Sequence, residues 1–187
     1  MTAFSTVPII QQIKANTKLL KLVGGAAEIA RFLDTENITP QMMPFCGVIY
    51  SDSQCSENDG LNTVWQVENI QFDCVIILDN TTNQIDTAGQ AAAIEFFDVK
   101  TDVNKCILNW VPPFNAQTPI SFVGGGLEEL TMSRATYKLT FKCNINISAD
   151  DGYLSPTYSP WQFDSVEVDA TPSDSPTSHI TGSFTIP

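Results

Sequence analysis

Alternation of apolar and polar positions is the clearest pattern in the chain. From Tyr137 to Ile147 every odd position is apolar or Cys, and every even position is Lys, Thr or Asn. Because successive side chains of a strand point to opposite faces, this pattern predicts a strand with one face on the core and the other in solvent. A second long strand is predicted at 64–78, where the even positions from 70 are apolar or Cys. Val75 and Ile77 indicate that its end is covered on both faces.

Shorter apolar runs predict two further strands, at 45–50 and 120–123. Three consecutive glycines, 124–126, follow the second of these runs. Because glycine adopts backbone angles that other residues avoid, we interpret this triplet as a bend between strands.

Helical spacing of apolar residues predicts two main helices. The first begins after Thr6, has Pro8 in its first turn and ends near Leu22, with Gly24 and Gly25 as its left-handed cap.

The second main helix begins at a capping box formed by Thr87 and Gln90 and ends before Pro112, about 22 residues later. Trp110 is expected to anchor its end in the core. A short helical segment is predicted at 26–33. These elements predict an α+β fold, in which a mostly antiparallel sheet is packed by two main helices.

The composition of the chain changes after Ser148. Residues 148–187 contain six acidic residues, no basic ones and five prolines. We therefore predict an α/β domain at 1–147 and an acidic, Pro/Ser/Thr-rich C-terminal extension at 148–187, either irregular or with added strands.

The charges are unevenly distributed. The 187 residues include 9 basic and 21 acidic ones, for a net charge of −12. Six of the basic residues form two short strips: Lys14, Lys18 and Lys21, and Arg134, Lys138 and Lys142. Because opposed patches set the register of a contact, the strips are candidates for contacts with acidic surface on another copy. The alternatives are a solvated helix face for the first strip and protection of an edge strand for the second.

The candidate acidic partner of these strips is the polar segment 51–62. It contains Asp52, Glu57 and Asp59 and is long for a hairpin connection. The sequence leaves two interpretations open: an arm that reaches a neighbouring subunit, or a mobile surface loop.

Catalytic chemistry has little support in the sequence. His179 is the only histidine and lies in the low-complexity extension, and the five cysteines are widely spaced without a zinc-ligand pattern. We expect no enzymatic activity, no cofactor and no metal. The acidic charge opposes tight binding of nucleic acid. No apolar run is long enough to span a membrane, and no signal peptide is recognisable, so synthesis in the cytoplasm is expected.

Two short motifs carry a family resemblance. Asn109-Trp110-Val111-Pro112 closes the second helix, and Phe122-Val123-Gly124-Gly125 lies in the following strand. With the order of the elements over residues 7–147, they resemble the tail terminator proteins of long-tailed bacteriophages, although Asn109 stands where that family usually has Gly.

The resemblance implies a structural protein of the virion neck that forms a ring, usually a hexamer, on the head-proximal end of the tail tube. The ring would stop tube polymerisation and contact the head–tail connector. DNA would pass through its lumen without specific binding. Assembly would take place in the host cytoplasm.

Two alternatives remain from the sequence. One is another phage neck, head-completion or tail-tube subunit. The other is a carbohydrate-binding module that uses aromatic residues beside carboxylates in and near the extension: Tyr153, Tyr158, Trp161, Phe163, Asp150, Asp151 and Asp164.

Overall fold

In the part of the chain that the structure describes, the fold consists of a five-stranded sheet and three helices. A computed structural model of the chain describes residues 4–34, 40–60, 63–81, 90–114, 116–131, 133–148 and 151. In chain order the elements are α1 (Val7–Asn16), β1 (Leu22–Gly24), α2 (Ala26–Asp34), a short 3-10 turn (Pro40–Met42), β2 (Phe45–Cys55), β3 (Trp65–Asp79), α3 (Gln90–Ile107), β4 (Ser121–Leu130) and β5 (Arg134–Ser148). The strand order is β1-β2-β3-β5-β4. Among the described strands only β1 and β2 are parallel neighbours, so the predicted α+β class is confirmed.

The main core lies on one face of the sheet, called the core face below. The predicted apolar positions of β3, and those of β5 up to Ile145, are buried there together with residues of α1 and α3. Phe72 and Phe141 stack on adjacent strands with ring centroids 5.7 Å apart. The parity predicted for both long strands is therefore confirmed.

A smaller core lies on the opposite face, called the second face below, where α2 covers the end of the sheet. Phe32 of α2 stacks on Phe45 of β2 at 4.2 Å, and Ile77 of β3 is fully buried beside them. The prediction that this end of β3 is covered on both faces is confirmed. Thr136, one residue before the predicted strand, is also nearly buried on this face, at 5% exposure.

The first helix is shorter than predicted, since α1 ends at Asn16. The Thr17 hydroxyl and the amide of Lys18 donate to the carboxylate of Asp102, which offers these groups a partner outside the helix. Gly24 and Gly25 do not cap α1. Gly24 is the last residue of β1, and the amide of Gly25 donates to Glu28 in the first turn of α2.

The end of α3 also departs from the prediction, because the helix ends at Ile107. Asn109 has a φ of 62°, the left-handed conformation that commonly follows the end of a helix. Its amide donates to the Ile120 carbonyl, and the Ile120 amide donates to the Trp110 carbonyl. Trp110 packs against the main core as expected. Of the predicted capping box, Thr87 lies outside the described residues, and Gln90 is the first described residue of α3.

The glycine triplet does not form a bend. Residues 124–126 lie inside β4, which runs on with register shifts at Val123 and Glu128. Each shift is a bulge that adds one residue on β4 relative to β5. The strand predicted at 120–123 therefore covers only the start of β4, because the bulges and glycines interrupt the alternation beyond it.

Candidate subunit interface

The basic residues of the first strip lie near the C-terminal end of α1. Lys14 is in its last turn, whereas Lys18 and Lys21 belong to the segment that leads into β1. All three are exposed. Because α1 ends at Asn16, their spacing of four and three does not place them on one helix face.

Asp102 of α3 holds this segment in place. Its Oδ2 accepts hydrogen bonds from the Thr17 hydroxyl at 2.6 Å, the Lys18 amide at 3.0 Å and the Leu19 amide at 3.2 Å. Burial favours the neutral acid and opposes ionisation. The three hydrogen bonds and nearby Lys105 outweigh that cost, so the pKa of Asp102 is lowered. The carboxylate therefore fixes the backbone that presents Lys18.

The second strip lies on the second face of β5 and is largely engaged within the chain. Arg134 donates to the Phe32 carbonyl at 3.0 Å and lies 3.8 Å from the Glu129 carboxylate. The Lys138 ammonium is 3.3 Å from Glu128. These acids belong to neighbouring β4, and the sequence analysis did not anticipate the pairs.

Lys142 is exposed and has no ion pair among the described residues. The strip is therefore less available to another molecule than its composition indicates.

The acidic segment forms an ordered hairpin arm in its described part. Residues 51–55 continue β2, so the strand predicted at 45–50 extends five residues further than predicted. Asn58 organises the turn: its Oδ1 accepts from the amides of Gly60 at 3.1 Å and Trp65 at 2.8 Å, and its Nδ2 donates to the Thr63 carbonyl. Residues 61–62 of the segment lie outside the described residues.

All three candidate acids of the arm, Asp52, Glu57 and Asp59, are exposed. Asp52 follows an irregularity in the pairing of β2 with β3 and lies opposite Gln71, which in turn lies opposite Lys142 of β5. Two strand spacings place the Asp52 and Lys142 backbones about 10 Å apart on the second face. The arm thus carries three acids on a defined backbone, and the basic strip on β5 begins two strands away.

Exposed apolar residues form a surface that the sequence analysis missed. Val123, Leu127 and Leu130 of β4 are each at least 50% exposed, and so are Ile94 and Phe97 of α3. Phe96, next to Phe97, stacks on Tyr137, which lies opposite Leu127. Ile94 and Phe97 are spaced as on one helix face, but that face is not the buried one of α3. This spacing is the only sign of the exposed apolar surface in the sequence.

The buried thiols have the character of core residues. A hydrogen bond with the Cys46 thiol, together with burial, raises the pKa of Cys74 well above its usual value. Burial raises the pKa of both Cys106 and Cys143 to about 11. Thiols with such pKa values are weak nucleophiles near neutral pH.

Within the described residues, no three His, Cys, Asp or Glu side chains are grouped so that they could hold a metal ion. No helix of the described part is both long and apolar enough to cross a membrane. Among the residues of the carbohydrate-binding alternative only Asp151 is described, and it accepts from the amide and hydroxyl of Ser148.

Comparison with known proteins gives one family match. The family model described as phage tail terminator protein matches residues 1–151. Curated proteins give no match. A solved structure titled virion of native gene transfer agent (GTA) particle contains a chain that is 12% identical, with a TM-score of 0.43 over 76% of this chain and 94% of that chain.

Proposed function

The chain belongs to the phage tail terminator family, and on that premise we propose that it forms a closed ring of six copies. The ring caps the tail tube and joins it to the head connector. The observation that carries the proposal is the family match over residues 1–151, which include every described helix and strand. A structural role in the phage tail is common to the family. The ring, the copy number and the named neighbours are the proposed part.

Contacts between copies are proposed to use the charge separation of the chain. The arm with Asp52, Glu57 and Asp59 is exposed and ordered by Asn58, and the patch of Lys14, Lys18 and Lys21 is exposed and fixed by Asp102. Two different surfaces of one chain can join copies head to tail, and such a contact closes into a ring if its rotation permits. Lys142 lies on β5, two strands from Asp52 of the arm, and is not part of that patch, whereas Arg134 and Lys138 mainly join β4 to β5.

The partners are proposed to be further copies of the chain, the tail-tube protein and the head–tail connector. The net charge of −12 favours a lumen through which DNA passes without being held. The protein would act without catalysis, cofactor or metal, and the weakly nucleophilic buried thiols are compatible with that role. The ring would assemble in the host cytoplasm and remain in the virion neck, with residues 1–147 as its domain and 148–187 as an extension.

Electron microscopy of the full chain, alone and mixed with tail tubes of the same phage, tests the assembly. A terminator gives rings of one size at one end of each tube. Open-ended polymers of the chain itself would identify a tube subunit instead, and rings found only on connectors would identify a head-completion protein.

A charge-swap experiment tests the contact. Lys18→Glu/Lys21→Glu and Glu57→Lys/Asp59→Lys should each weaken assembly, because each places like charges across the interface. Combining both pairs of changes in one chain should restore assembly. If the combined variant assembles no better than either parent variant, the arm and the patch do not meet.

A further inference from the structure

The three glycines of β4 differ in what the fold requires of them. A Cβ on Gly125 would overlap the Lys138 carbonyl oxygen and lie 2.7 Å from Leu139 Cδ2, so the pairing with β5 explains this glycine. A Cβ on Gly124 or Gly126 would meet no atom within 4 Å, and neither residue has a left-handed φ. Nothing in the described part of the chain requires glycine at these two positions.

Gly124 and Gly126 leave bare backbone on the second face, since they lie opposite Thr140 and Lys138. On the same face, β2 shows how a helix can pack against a strand position that has no side chain. At Gly47 of β2, a Cβ would overlap Ile29 of α2, so the missing side chain lets α2 approach the sheet. Glycine within a strand often marks such a close approach.

β4 is also an edge of the sheet, and it pairs only with β5 in the described part of the chain. Its sequence contains no Lys and no Pro, two residues that commonly protect an edge from pairing, so its protection is limited to the two bulges and to Glu128 and Glu129. The exposed apolar side chains of Val123, Leu127 and Leu130 lie along this edge strand.

The opposite edge of the sheet is β1, which carries both exposed apolar residues and basic residues. Leu19 and Leu22 are exposed, and Lys18 and Lys21 flank them. The bases of this edge suit an acidic partner, and a second copy of the chain carries a net charge of −12. Glu128 and Glu129 of β4 remain about half exposed beside their ion pairs.

Strand directions permit these two edges to meet. β1 runs parallel to β2, and each step through β3, β5 and β4 reverses direction, so β4 runs opposite to β1. A second copy in the same orientation would therefore bring its β1 antiparallel to β4. Its α2, which contacts β1 and covers the second face, would then lie on the side of Gly124 and Gly126.

We propose that β4 of one copy receives the β1 edge and α2 of the next copy, and that Gly124 and Gly126 are bare because α2 of that neighbour packs over them. This contact rests on the ring assembly proposed above and is an alternative to the contact between the arm and the patch of Lys14, Lys18 and Lys21, because Lys21 lies beside Pro44 at the start of β2 and the arm lies at its end. It predicts a sheet that continues from one protomer to the next.

Substitution at position 126 separates folding from assembly. Gly126→Gln enters open space in the protomer, so its circular dichroism and melting temperature should match the parent. Its association, measured by sedimentation over a concentration series, should weaken about tenfold or more because the side chain occupies the site of α2 of the neighbour. Gly126→Ala should weaken association less. Gly125→Ala serves as the contrasting variant that destabilises the protomer itself.

Cross-linking provides the second measurement and does not depend on Gly126→Gln. In a Cys55→Ser background, which removes the one exposed thiol of the described residues, Leu22→Cys/Gly126→Cys should give a disulfide-linked ladder beyond the dimer. Either cysteine alone should give no such ladder.

The outcomes distinguish this contact from the ring itself. If the parent associates while Gly126→Gln associates equally well and the paired cysteines give no ladder, the β4–β1 contact is wrong and the ring proposal stands. Dimers from Gly126→Cys alone would indicate two β4 edges facing each other and would also overturn the contact. A parent that stays monomeric at every concentration and gives no cross-links would overturn both proposals.

Discussion

Asn109 occupies a backbone conformation that few residues other than glycine adopt. Its φ of 62° turns the chain from the end of α3 toward β4, and its amide donates to the Ile120 carbonyl. This geometry gives a physical reason for the Gly that the family usually has at this position. The motif could be found in the sequence, but the backbone angle that explains it could not.

The free energy of unfolding of Asn109 variants should depend on how easily the new residue adopts a positive φ. Asn109→Gly should leave the free energy of unfolding unchanged or raise it by up to about 1 kcal/mol, whereas Asn109→Val should lower it by about 1–3 kcal/mol. Urea denaturation monitored by Trp fluorescence measures both. Equal stability of the Gly and Val variants would show that the turn does not depend on this angle.

Asp102 is the other residue whose role follows from geometry alone. In the sequence it is one of 21 acids in the chain. In the fold it is 8% exposed and accepts three hydrogen bonds from the segment that follows α1. Sequence spacing gave no sign of this contact, because its partners lie about 85 positions away.

Asp102→Asn should lower the free energy of unfolding at pH 7 by about 1–3 kcal/mol, because an amide oxygen is a weaker acceptor than a carboxylate. The folded pKa of Asp102 lies below its ordinary value of 3.8, so its contribution is present above that value and is lost as the pH falls through the folded pKa. Denaturation curves at pH 7 and below pH 3.8 should show a difference between parent and variant that shrinks in acid. Asp98→Asn, an exposed change on the same helix, is the matched control and should show neither effect.

At the scale of elements, period-2 alternation predicted β3 and β5 well because each places apolar side chains on one buried face. It failed at β4, where two bulges and three glycines break the period. It also stopped β2 at Tyr50, because residues 51–55 are polar although they stay paired with β3. A hydrophobic pattern indicates which side chains are buried. It therefore cannot predict a strand segment whose two faces are both exposed.

The turn of the acidic arm depends on one side chain. Asn58→Ala removes the acceptor of the Gly60 and Trp65 amides. Amide hydrogen exchange of residues 58–66 should become faster, while exchange in β3 beyond Ile70 and the overall melting temperature should change little, since local opening involves few core contacts. Gln54→Ala, an exposed change on the same arm, should leave exchange at the turn as in the parent. Unchanged exchange in Asn58→Ala would show that the backbone alone holds the turn.

At the scale of the molecule, the charge strips identified in the sequence become two different surfaces. The first is an exposed patch at the end of α1, whereas most of the second is joined to β4 through Glu128 and Glu129. Composition located the charges but not their partners within the chain. The apolar edge of β4 and the bare glycines beside it became visible only once the strands were ordered in the sheet.

The mass of the full chain in solution tests the central claim that identical copies close into a ring. Native mass spectrometry over a concentration series should give one discrete assembly, predicted to be six times the 20.5 kDa protomer, that does not grow as concentration rises. Elevated salt should weaken it, because the exposed charges at the contact are screened. A protomer that remains single at every concentration, or a series of masses without an upper limit, would contradict the claim.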